Sequence, residues 1–214
     1  MDFPPTNTSL PVSEPPRDRR RATLKFALEL LQILAISLVI IIPVRYFLIQ
    51  PFYVKGASME PNFFDHEYLI IDELSYRLNE PVRGDIVVFK YPKDPKQFFI
   101  KRVIGMPEET VEIIDGKIRL YTKDHPNGFF LDETGYIDGV FTSSRQIVQL
   151  KKGEYYLMGD NRPASLDSRV FGPVERDLIV GKVLLRGYPV DRWKVFKSYT
   201  YPAPTVTNGS TTTP

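Results

Sequence analysis

Phe98-Phe99-Ile100-Lys101-Arg102-Val103-Ile104 sets two adjacent cations in the middle of an apolar, strand-like run. On a strand alternate side chains share a face, so Lys101 stands with Phe99 and Val103 while Arg102 stands with Ile100 and Ile104. One of these two cations is therefore expected to face the interior. Burial penalises the ammonium form and lowers a lysine pKa, by up to roughly 3–5 units in deep sites, which turns an inert cation into a base near neutral pH. Such a base needs a nucleophile, and Ser58 is the leading candidate.

The same texture continues on both sides of this run. From Phe52 onward the chain alternates short β-prone runs (YLIIDEL, GDIVVFKY, TVEIIDGKIRLY, QIVQLKKGEYYLMG, LIVGKVLLRGYPV) with Gly, Pro, Asn and Asp, and helical periodicity is weak. Ile114-Asp115-Gly116-Lys117 carries the Asp-Gly signal of a tight hairpin, with Val111 and Ile113 on one arm and Ile118 and Leu120 on the other. The expected fold is mostly β: an antiparallel, barrel-like or sandwiched domain over residues 50–200. Lys123 to Ser144 reads as a loop-rich excursion, and there is no internal repeat.

A chain of 214 residues can bury a full-sized core in one or two domains. Its 28 basic and 26 acidic side chains nearly cancel, so nothing global points to nucleic acid. The absence of cysteine excludes disulfides, thiol chemistry and cysteine-based zinc sites. His66 and His125 are the only histidines, and both stand in polar, turn-like surroundings, so a histidine-based triad or metal site has little to draw on. No metal and no cofactor are expected.

Residues 1–16 are rich in Pro, Thr and Ser and bury too little to offset the entropy of ordering, so residues 1–22 are expected to be a disordered tail ending in the basic cluster Arg17, Arg19, Arg20 and Arg21. Residues 26–48 would span roughly 34 Å as a helix, enough for a bilayer core of about 30 Å. A cleaved secretory signal lacks small residues at the −1 and −3 positions after Val44, and a buried amphipathic helix explains less of the pattern. An uncleaved single-pass anchor over residues 23–49 fits best, with Glu29 and Arg45 near its ends and Tyr46 suited to an interface. The basic cluster then keeps the N-terminus in the cytoplasm and the rest of the chain outside it. Residues 201–214 read as a second disordered tail.

Two further segments bear on chemistry. Gly56-Ala57-Ser58-Met59-Glu60-Pro61 flanks a serine with small residues that allow close approach; its plain interpretation is a turn serine making local hydrogen bonds. Gly159-Asp160-Asn161-Arg162-Pro163-Ala164-Ser165-Leu166-Asp167-Ser168-Arg169 is a dense polar loop that reads as Asx turns, or as a carboxylate pair of Asp160 and Asp167 for a metal or for glycoside hydrolysis. Nothing elsewhere supports that pair. A serine hydroxyl needs a base within about 2.6–3.2 Å, and with histidine so scarce the strand lysine remains the strong candidate.

Taken in order, Ser58-Met59-x-Pro61, Gly84-Asp85-Ile86-Val87-Val88-Phe89, Lys101-Arg102-Val103-Ile104-Gly105 and Gly159-Asp160-Asn161-Arg162 through Ser165-x-Asp167-Ser168-Arg169 resemble the bacterial type I signal peptidase (leader peptidase) family, from the anchor to about residue 190. The resemblance implies a mostly β, membrane-associated Ser/Lys protease that cleaves signal peptides from exported preproteins after small residues. Carried across, it makes Ser58 the nucleophile, Lys101 the general base, Ser165 the group that orients the lysine amine, and Asp160, Asp167 and Arg169 supports of the site. The Ser58 backbone N–H would donate to the oxyanion. It also implies a bacterial cytoplasmic membrane location, contact with the lipid bilayer, proximity to the secretion translocon and no nucleic-acid partner.

The sequence departs from the family pattern in three places. Gly56 replaces a serine that serves some members as a second oxyanion donor, Glu108 stands where Gly is common, and Pro163-Ala164 replaces polar residues. The apolar stretches Asn62-Phe63-Phe64 and Gly128-Phe129-Phe130 are candidates for dipping into lipid or for core packing.

Overall fold

The computed structural model of the protein describes residues 19–43, 50–137 and 139–202. They fall into two units. The first is a single helix, α1 (Arg19–Pro43), whose 25 residues reach about 37 Å at about 1.5 Å per residue. Its Ala22–Ile42 stretch is long and apolar enough to cross a membrane, and side chains such as Leu31, Ile33 and Ile40 are exposed along it. The helix is compatible with a single-pass membrane anchor. It begins at Arg19, so Arg19, Arg20 and Arg21 belong to the helix and not to the expected tail. Residues 1–18, the anchor's expected end at 44–49, and 203–214 lie outside the described residues.

The second unit is mostly antiparallel β. Its elements are β1 (Gln50–Tyr53), β2 (Tyr68–Asp72), α2 (Leu74–Leu78), β3 (Ile86–Tyr91), β4 (Asp94–Gly105), β5 (Thr110–Ile114), β6 (Lys117–Tyr121), β7 (Phe129–Phe130), β8 (Gln146–Gln149), β9 (Glu154–Met158), α3 (Ser168–Phe171), β10 (Val174–Glu175), β11 (Ile179–Tyr188) and β12 (Lys194–Val195). One sheet runs β1-β2-β11-β3-β4-β9-β10, with β12 paired to β11; a smaller one runs β7-β6-β5-β8. The large sheet curls until Phe52 on β1 meets Phe98 on β4, ring centroids 5.5 Å apart, yet no strand pairing joins β1 to β4. The expected barrel-like shape is thus an open curl, not a closed barrel.

β3 shows why the fold holds. Ile86, Val87, Val88 and Phe89 are all buried, Ile86 and Val88 in a cluster with Val54, Met59, Phe63, Leu69 and Ile71, Val87 and Phe89 in another with Val103, Tyr155 and Leu157. A strand covered on both faces reads as a continuous apolar run, as GDIVVF does. The small sheet packs its inner residues Val111, Ile113, Ile118 and Leu120 against Ile104, Tyr156 and Met158. Its central hairpin has the expected register, Ile113 opposite Ile118 and Val111 opposite Leu120. Asp115 and Gly116 both take positive φ (49° and 76°), as the two-residue turn demands.

The loop-rich segment from Lys123 to Ser144 contains only the two-residue β7 among its described residues. Phe63 is fully buried and Phe129 packs against the core, so neither serves as a lipid contact; Phe130 is exposed. Tyr201, expected in the disordered tail, instead packs on the small sheet's core, and its hydroxyl donates to Tyr136 Oη at 3.0 Å.

Gly105 ends β4 where the two sheets meet, and a Cβ there would lie 2.5 Å from Val111 Cγ2 and 2.9 Å from Tyr156 Cβ. Gly105→Ala is expected to destabilise the protein by about 1–3 kcal/mol in urea unfolding, because neighbours on two sheets must shift. An unchanged midpoint would show that the junction is looser than this packing implies.

Candidate active site

Ser58 is held from both sides by buried neighbours. Val54 and Met59 sit in the same apolar cluster, leaving Gly56-Ala57-Ser58 as a bridge between two anchors. Gly56 adopts φ 88°, open to glycine without strain, and its N–H donates to Asp65 Oδ1 at 2.9 Å. Lys101 reaches this bridge from β4. Its Nζ lies 2.7 Å from Ser58 Oγ and donates at 2.8 Å to the Ile100 carbonyl.

Lys101 is only 3% exposed. Burial lowers its pKa from 10.5 to about 8, while Asp167 and Asp160 pull it back upward. About one molecule in ten then carries the neutral amine at pH 7. In that form Nζ can accept the Ser58 proton, so the pair has the distance and the protonation state of a nucleophile and its base.

Arg102 is equally buried, so both cations of the run face the interior and not one of them. The strand periodicity still places them on opposite faces; each face is covered. Arg102 grips Asp160 with two hydrogen bonds, Nε to Oδ1 at 2.8 Å and Nη2 to Oδ2 at 2.7 Å, and its guanidinium lies 4.0 Å over the Tyr136 ring. Asn62 Nδ2 donates to Asp160 Oδ2 at 2.8 Å, tying the turn that carries Ser58 to the polar loop. Asp167 accepts from Arg169 Nε and Nη2 at 2.8 Å each and from the Gly159 N–H at 3.1 Å. Burial opposes ionisation of Asp167, but the Arg169 guanidinium outweighs it and holds the carboxyl below its usual range.

The orienting bond expected from Ser165 is not formed: Lys101 Nζ bonds to Ser58 Oγ and to the Ile100 carbonyl. Ser165 Oγ is buried, near enough to Asp167 to favour its ionised form, but it has no partner in hydrogen-bonding geometry. Gly159 explains how the parts come so close. A Cβ on it would fall 2.5 Å from the Ser58 carbonyl oxygen and 2.2 Å from Ser165 Oγ. Arg102, Asn62 and Gly159 are the residues that sequence reasoning left without a role; a cation in an apolar strand and a Gly before a polar loop were the available signals.

The three departures have local accounts. Glu108 takes the left-handed φ of 67° that glycine would supply, in a turn closed by the Glu109 N–H donating to Met106 O. Pro163 and Ala164 lie in a short 3₁₀ turn, where proline's fixed φ is tolerated. No side chain of residue 56 replaces the missing hydroxyl. His66 pairs with Asp65, and His125 contacts Thr122 and the Phe129 ring.

A cleft of about 290 Å³ opens onto Ser58 and Lys101, with Phe52, Val54, Leu69, Val88 and Ile100 among its apolar walls. A buried lysine against a serine at the mouth of an apolar cleft defines a serine hydrolase of the Ser/Lys kind. The sequence profile of the family described as signal peptidase, peptidase S26, matches residues 27–188. The chain is 32% identical over 192 residues to the probable signal peptidase I-1 of Synechocystis sp., covering 86% of this chain and 94% of that one. It is 32% identical over 181 residues to signal peptidase IB of Staphylococcus aureus, covering 79% of this chain and 94% of that one. A crystal structure of a signal peptidase I from Enterococcus faecalis V583 matches with 30% identity and a TM-score of 0.40, over 49% of this chain and 97% of that one. The chain belongs to the signal peptidase family, peptidase S26.

Holding Lys101 dry weakens the fold. A folded-state pKa of about 8 against 10.5 corresponds to roughly 3 kcal/mol, present in full below about pH 8, where both states are protonated, and relieved as pH rises from about 8 to about 10.5. Lys101→Met is therefore expected to stabilise the detergent-solubilised protein by about 1–3 kcal/mol at pH 7, with the gain vanishing above about pH 10. A less stable variant at pH 7 would contradict this balance.

Proposed function

We propose that this protein removes signal peptides from exported preproteins, with Ser58 as the nucleophile and Lys101 as its general base. The 2.7 Å approach of the buried Lys101 Nζ to Ser58 Oγ beside an apolar cleft carries this reading. Neutral Lys101 takes the Ser58 proton as Oγ attacks the scissile carbonyl, and the resulting ammonium protonates the departing amine. Lys101 then activates a water that hydrolyses the ester. The Ser58 backbone N–H donates to the tetrahedral oxyanion. Asp160, Asp167 and Arg169 hold the loop behind the lysine, and Ser165 lies ready to meet Nζ once the pair rearranges.

The open curl of the large sheet suits an extended substrate. Among the described residues β1 has no partner on its outer side, and β4 pairs with β9 only from Arg102 onward, so Phe98–Ile100 keep a free edge. Both stretches line the cleft. A peptide strand laid between them would bond to both backbones, while the close apolar walls favour small side chains next to the scissile bond. The apolar helix supports attachment to the bacterial cytoplasmic membrane, with the basic residues before its apolar stretch keeping the N-terminus cytoplasmic and the β unit outside, near the translocon where preproteins emerge.

The test uses the detergent-solubilised full chain and a preprotein with Ala at −3 and −1. Cleavage after the −1 residue is expected, falling at least about 10³-fold in Ser58→Ala. Because the neutral amine is the active form, the rate should be low at pH 6 and rise tenfold per unit until it levels off above pH about 8. Undiminished cleavage by Ser58→Ala, or a flat profile from pH 6 to 9, would reject the assignment.

A further inference from the structure

Asn161 lies between Asp160 and Arg162 in the polar loop and has no part in the proton transfers above. Its contacts converge on the backbone of the nucleophile. Nδ2 donates to the Ala57 carbonyl at 3.0 Å, and the Asn161 N–H donates to the Ser58 carbonyl at 3.1 Å. The Ala57 carbonyl also accepts from the Glu60 N–H at 3.2 Å. The Ala57–Ser58 peptide is trans, so its C=O and N–H point in opposite directions from one rigid plane. Whatever holds the Ala57 oxygen therefore aims the Ser58 N–H.

We propose that Asn161 is a positioning residue for the oxyanion: its carboxamide fixes the Ala57–Ser58 peptide plane and so directs the Ser58 N–H at the oxygen that gains charge in the transition state. The proposal rests on Ser58 being the nucleophile. Three observations make the clamp matter here. The Ser58 N–H has no acceptor among the described residues, so it is free to serve. Ala57 is exposed, so packing of its side chain does not fix the plane, which is held at its oxygen by the Asn161 carboxamide and the Glu60 N–H. With glycine there instead of a hydroxyl-bearing residue, the backbone donor works without a side-chain partner from position 56. A hydrogen bond accepted by the Ala57 oxygen also polarises the amide and strengthens its N–H as a donor.

Asn161 is itself well seated. Its carbonyl accepts from the Ala164 N–H at 3.1 Å, and its neighbour Asp160 is locked to Arg102. Removing the carboxamide leaves the backbone bond to Ser58 in place.

The experiment compares the full-length protein in detergent with Asn161→Ala and Asn161→Leu, the latter keeping about the same bulk without the donor or a new charge and carrying the test if Asn161→Ala unfolds. Cleavage of a synthetic peptide with Ala at −3 and −1 gives kcat and KM. Inhibition is measured with a peptide aldehyde ending in alanine, which forms a tetrahedral adduct on Ser58, and with the matching peptide alcohol, which does not. The expected result is a fall in kcat of about 10- to 50-fold with KM within about twofold, since a donor is misaimed and not removed. Aldehyde affinity should fall by a similar factor, with alcohol affinity and the acid limb near pH 8 unmoved. Retained kcat, equal losses for aldehyde and alcohol, or a displaced acid limb would overturn the proposal. A wild-type chain that fails to cleave, or a Ser58→Ala variant that cleaves normally, would instead remove the reading beneath it and the proposal with it.

Discussion

An amine kept away from water, 2.7 Å from a hydroxyl, is the feature on which the rest of this structure depends. Desolvation alone drives the lysine toward neutrality, and two carboxylates nearby push the other way. Each carboxylate has its own arginine, Arg102 for Asp160 and Arg169 for Asp167. Those pairings mute the negative field at Nζ, so acidic residues can brace the loop without holding the lysine fully protonated.

The same ion pairs act as girders. Arg102 and Asp160 are both almost fully buried and share their polar atoms with Asn62 and the Gly84 carbonyl. Arg162, also buried, joins Glu133 and Thr142 beneath the loop. Buried ion pairs add little net stability, yet losing one partner strands a charge in a dry place. Their value here is geometric: they specify one arrangement of the Ser58 turn against the 159–169 loop. The C-terminal segment joins in, with Tyr201 against Tyr136, whose ring covers Arg102.

The open curl of the large sheet gives this machinery access to a substrate. Closing β1 onto β4 would satisfy both edges and seal the cleft. The ring contact of Phe52 and Phe98 brings the strands near without joining them, leaving a slot that an extended chain can complete.

Local signals in the sequence carried much of this. Short β-prone runs set off by Gly, Pro, Asn and Asp gave the strands, Asp115-Gly116 gave the hairpin, and an uncharged run gave the apolar helix, because each follows from backbone sterics and solvation within a few residues. Lysine in an apolar strand, in a chain with only two histidines, marked the candidate base, and Ser58 between small residues was its candidate nucleophile. Whether Arg102 was also buried, which groups met Lys101 Nζ, and why position 159 had to be glycine were not legible. Those answers require knowing which distant segments touch, and Ser58, Lys101 and Gly159 meet only after three separate stretches of chain have packed. Tertiary structure decided them because burial and hydrogen-bond partners belong to neighbours in space, which a single strand's pattern does not encode.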